Sequence, residues 1–67
     1  MTPEKKEMYL EWILRTLGTS TMTTTEIADF IGRKRQTVYE VLCYAKDSNL
    51  VELVWVDRYT PAWKVAA

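Results

Sequence analysis

Residues 23–42 read TTTEIADFIGRKRQTVYEVL, and the fold is decided here. Thr23 and Glu26 stand three apart, the spacing of a capping box, and Met22 and Ile27 bracket them as a hydrophobic staple. A helix therefore starts at Thr23, with Ile27, Ala28 and Ile31 on one apolar side. Gly32 follows that run, where a tight turn needs the positive φ that other residues resist. Beyond the turn, Val38, Val41, Leu42 and Ala45 repeat at helical spacing. They predict a further helix from about Lys34 to Ser48, with Asn49 as its stop.

Upstream, Thr2, Pro3 and Glu4 suit the cap, first position and first turn of a helix that Gly18 ends after Leu17. Leu10, Ile13, Leu14 and Leu17 form its inner face, while Glu7, Glu11 and Arg15 form a solvated stripe. Met8, Tyr9, Trp12 and Thr16 make a second apolar stripe on the opposite side. Met8, Tyr9 and Trp12 are the expected contact with a second copy of the chain. Residues 19–23 are a polar connection, with Met22 expected in a short strand joining a later hairpin.

Downstream the chemistry changes. Residues 50–56, LVELVWV, are β-branched and aromatic and read as a strand, and TPAWKV at 60–65 reads as its return. Pairing Val56 with Thr60 sets Glu52 against Lys64. It puts Val51, Leu53, Trp55, Trp63 and Val65 on the face that covers the helices. Pro61 implies an edge position, and the short turn at Asp57, Arg58 and Tyr59 lacks glycine, which leaves the register free to slip.

Small Ala28, Gly32 four residues on and Val38 six beyond resemble the helix-turn-helix family of DNA-binding modules. Arg33 departs from that pattern, which often has an apolar residue after the glycine. Three helices and a C-terminal hairpin give the expected fold: mainly α with a small β-hairpin, a single winged helix-turn-helix domain over residues 1–67. The resemblance implies duplex DNA as partner. The third helix would read the major groove and the hairpin would serve as wing. Helix residues expected at DNA are Arg33, Lys34, Arg35, Gln36, Thr37, Tyr39 and Glu40, joined by Arg58, Tyr59 and Lys64 of the hairpin. Arg pairs with guanine edges, Gln with adenine, and Glu accepts from cytosine. The wing TPAWKV also resembles that of the Z-DNA-binding Zα family, which has a Pro-x-Trp wing and an Asn and a Tyr four apart on the recognition helix. Pro61 and Trp63 match, but the helix positions read Tyr39 and Cys43. Contacts to a left-handed duplex are therefore set aside, and Trp63 is expected in the core.

Composition narrows the function. Sixty-seven residues, 48% hydrophobic with three Trp and four Tyr, suit a small packed core rather than disorder. With no histidine, no metal-ligand cluster and no glycine-rich phosphate loop, neither enzyme activity nor a cofactor or metal is expected. Cys43, the single cysteine, suits a reducing cytosol and leaves only a disulfide between copies open. Nine basic and nine acidic residues cancel, although residues 1–31 carry −2 and residues 32–67 carry +2. The size resembles small cytoplasmic regulators encoded by phages and other mobile elements, which implies transcriptional control by a homodimer. Neutral charge, with Glu40 and Asp47 near the reading helix, points instead to a protein-interaction module, such as an inhibitor of a host protein.

Overall fold

The computed structural model describes residues 2–66. Its elements run α1 (Pro3–Leu17), α2 (Thr24–Ile31), α3 (Arg35–Asp47), β1 (Val51–Trp55) and β2 (Pro61–Val65). The local signals act where the sequence places them. The Thr2 hydroxyl accepts from the Lys5 amide to start α1. Both halves of the capping box form at α2: Thr23 Oγ1 accepts from the Glu26 amide at 3.1 Å, and Glu26 Oε1 from the Thr23 amide at 3.0 Å. Gly32 adopts φ 71° and ψ 36°, and its amide and that of Arg33 both donate to the Ala28 carbonyl. This left-handed residue turns the chain sharply from α2 into α3. Lys34 and Ser48 cap α3 rather than lie within it. Asn49, at φ 62°, ends the helical run as expected.

The core is shared by all five elements. Ile13 and Leu17 of α1, Ile27 and Ala28 of α2, and Val38, Val41, Leu42 and Ala45 of α3 are buried. Val51, Ala62 and Trp63 close it from the hairpin. Each fully buried aliphatic side chain contributes about 1.5–3 kcal/mol, so the inner face of α3, buried at all four positions, anchors the fold.

The hairpin has the expected register: Glu52 opposes Lys64, and Val56 N–H donates to the Thr60 carbonyl. Glu52 and Lys64 pair at 3.5 Å, each about half exposed. The glycine-free tip holds through Asp57, whose Oδ1 accepts from the Tyr59 amide at 2.8 Å and Oδ2 from the Thr60 hydroxyl at 3.1 Å. An aspartate bonded to the backbone two residues on does the work of a turn glycine. The same two bonds hold the Asp57 carboxyl below its usual pKa, the Tyr59 amide having the larger effect.

Met22 joins the hairpin as expected, pairing with Trp63 from the other side of β2 through bonds of 3.0 and 2.7 Å. Pro61 avoids the ladder conflict by standing first in the strand. Trp55 does not cover the helices: it is 61% exposed. Its strand alternation points it toward α3, but small Cys43 lies opposite and a gap of about 440 Å³ remains between them.

Candidate nucleic-acid interface

A concavity lies where the N-terminal ends of α2 and α3 face the start of β2. It is an open groove of about 940 Å³. Lys34, Arg35, Gln36 and Tyr39 line it from the α3 side, and Tyr59, Thr60 and Pro61 from the hairpin. Thr23, Thr24 and Thr25 form the remaining wall. The local folding explains this grouping. The left-handed Gly32 brings Lys34 and Arg35 onto the exposed first turn of α3, and the Asp57 turn presents Tyr59 and Thr60 across from them.

The electrostatics of the groove differ from those of the whole chain. Lys34 and Arg35 line it, and no carboxylate does so among the described residues. The ion pairs among those residues, Arg15 with Glu11 and Lys64 with Glu52, leave both groove cations unpaired. An anion in the groove therefore meets positive charge without competition, despite a net charge of zero.

Tyr39 belongs to an aromatic corner whose other ring, Trp63, lines the adjoining gap. The Tyr39 and Trp63 rings meet edge to face, with centroids 6.3 Å apart and planes at 72°. Trp63 is buried, and its Nε1–H donates to Thr24 Oγ1 at 2.9 Å. That bond ties β2 to the first turn of α2 and sets the distance across the groove. The neighbouring Cys43 thiol raises the Tyr39 phenol pKa, first as a hydrogen-bond partner and then through its charge, with burial adding to both. The phenol therefore stays protonated at physiological pH.

Of the residues expected at DNA, Lys34, Arg35, Gln36, Tyr39 and Tyr59 thus share one groove. The others lie outside it. Thr37 is half-buried, while Glu40 and Arg58 are exposed beyond the groove walls. Lys64 pairs with Glu52 on the hairpin. Arg33 turns to α1, its guanidinium 5.9 Å from the Tyr9 ring centroid and 5.7 Å from that of Trp12. Those two rings themselves meet edge to face at 5.6 Å. The outer stripe of α1 is therefore capped in part by Arg33: Tyr9 and Trp12 are half-buried, and Met8 remains 40% exposed. Sequence reasoning missed Thr23, Thr24, Thr25, Thr60 and Pro61 as groove residues. The run of three threonines at a helix start was the available signal, because hydroxyls there lie beside free helix amides.

Three helices, a tight glycine turn before the third and a C-terminal two-stranded wing define a winged helix-turn-helix fold. Among solved structures the chain is similar to the apo Zα domain of zebrafish PKZ, with TM-score 0.86, 19% identity, and 94% of this chain and 98% of that one covered. It is also similar to the Zα domain of Carassius auratus PKZ, solved in complex with Z-DNA, with TM-score 0.81, 22% identity and coverage of 91% and 97%. No protein-family model matches the sequence, and no curated protein matches it.

Proposed function

We propose that this winged helix binds DNA through the groove between α3 and the hairpin, and that it selects the left-handed duplex by the shape of its backbone. The observation that carries this reading is the aromatic corner of Tyr39 and Trp63 set beside two unpaired cations, Lys34 and Arg35. A concave site with hydroxyls, cations and ring edges suits a sugar–phosphate strand, and phosphate contacts position a protein without reading bases. The similarity to a domain solved with Z-DNA supports the same partner. Tyr39 stands where the Zα family has its Asn, so the aromatic ring enters the corner one helical turn earlier and presents its exposed edge to the sugar–phosphate strand.

A second reading rests on Arg35 and Gln36, both exposed on the first turn of α3. These side chains pair with guanine and adenine edges in the major groove. They support sequence-specific binding to ordinary duplex DNA, with transcriptional control by steric blocking.

Circular dichroism and anisotropy of one alternating dC/dG duplex separate the two. Inversion of the DNA spectrum as protein is added is the expected result. Binding that leaves the spectrum right-handed favours the second reading. Two phosphate-bound cations predict a log–log salt slope of about −1.8, so affinity falls roughly tenfold between about 50 and 200 mM salt. Absence of binding at the lower salt, both to this duplex and to a mixed-sequence duplex pool, refutes both and points to a protein partner.

A further inference from the structure

The gap beside Trp55 adjoins the groove: Thr24, Tyr39 and Pro61 line both spaces. At about 440 Å³ the gap falls within the size range of small-ligand sites. Trp55 forms one wall and Leu53 and Trp63 continue it, while Cys43 lies across on α3. Lys46 and Asp47 stand at the rim. Trp55 is the unusual element. Strand alternation turns it toward α3 beside Leu53, opposite Pro61, yet the residue is 61% exposed.

We propose that this gap is a stacking site for one unpaired nucleobase flanking the duplex, with Trp55 as the platform. The inference rests on the DNA reading of the adjoining groove. Each feature fits that occupant. A planar base stacks on an exposed indole whatever its identity, because every base presents a π face. Lys46 at the rim meets the phosphate of the extruded nucleotide, and the Asp47 carboxylate accepts from an exocyclic amino group. The shared walls set the gap next to the Lys34–Arg35 groove, within reach of a nucleotide flanking a bound duplex. The chain then prefers duplexes that end in, or are interrupted by, an unpaired nucleotide.

The test is competition anisotropy with an alternating dC/dG duplex, blunt or carrying one unpaired nucleotide, against wild type, Trp55→Ala and Trp55→Phe. The unpaired nucleotide is expected to tighten binding to wild type by about 5- to 100-fold, the range found for base–aromatic stacking. Trp55→Ala abolishes that gain, Trp55→Phe keeps most of it, and all three proteins bind the blunt duplex alike. Equal affinity of wild type for both duplexes, or a gain that survives Trp55→Ala, overturns the stacking site while leaving the groove reading intact. Failure of wild type to bind either duplex overturns both. Because Trp55 is largely exposed, the variants are expected to melt within a few degrees of wild type, and the same samples report that directly.

Discussion

Replacing Thr24 by alanine removes one oxygen from the acceptor end of the bond that spans the groove. The Trp63 indole N–H then loses its partner at 2.9 Å while its ring stays buried. An unsatisfied buried donor costs about 1–3 kcal/mol. Here the lower half applies, because the bond is only partly buried and Thr24 is half-exposed. Alanine is the better helix former by up to about 0.5 kcal/mol, which offsets a little. The net expectation is a loss of about 1–1.5 kcal/mol, against a total stability of about 3–10 kcal/mol for a chain this long. The melting midpoint should fall by about 5–10 °C. Urea unfolding followed by circular dichroism measures the loss, and a cycle with Trp63→Phe isolates the bond. In the Phe background, Thr24→Ala should cost almost nothing, giving a coupling of about 1 kcal/mol. An equal cost of Thr24→Ala in both backgrounds would refute the reasoning. Thr24→Ser keeps the oxygen and should retain most of the stability.

Three further expectations concern single side chains. Arg35→Ala should reduce the salt slope of DNA binding by about 1 if the guanidinium meets phosphate, and should cost about 1–3 kcal/mol in a sequence-dependent way if it meets guanine; unchanged binding removes it from the interface. Arg33→Ala should leave DNA affinity and its salt slope unchanged and lower stability by about 0.5–1 kcal/mol, the worth of an exposed cation–π contact, so a DNA defect matching that of Arg35→Ala contradicts its placement over Tyr9 and Trp12. The Asp57 carboxyl titrates below its ordinary value, so the ionised form favours the hairpin. That contribution is complete above about pH 4 and is lost as pH falls through the depressed folded value. The Tyr59 amide resonance should move over that acidic range in wild type and not in Asp57→Asn.

The helices and hairpin register were legible because their causes are local. The Thr23–Glu26 box, the left-handed Gly32 and the period of Val38, Val41, Leu42 and Ala45 each act within one or two turns. The Glu52–Lys64 pairing followed from closing the turn between Val56 and Thr60, a register that the Asp57 bonds at the tip hold in place. The groove was harder to read, because it depends on which side each exposed residue faces. Arg33 and Arg35 differ by two positions and part company at the turn, one to α1 and one to the groove, and charge patterning is blind to that. The exposure of Trp55 was equally hidden: alternation gave its face correctly, but only the small Cys43 opposite explains why nothing covers it. Trp63 was placed in the core by its chemistry, whereas its contact with Tyr39 needed the fold.

Trp63 bonds to Thr24, 39 positions earlier, and pairs with Met22 beside it. The groove is thus stitched from the start of α2 and the last strand, and comes into being only when that strand docks. Contacts within the helices form quickly because they close short loops, whereas a pairing this distant waits on chain diffusion. A partly folded chain can hold its helices together and still have no groove. A chain opened only at its C-terminal strand would lose the groove while keeping most of its helical signal.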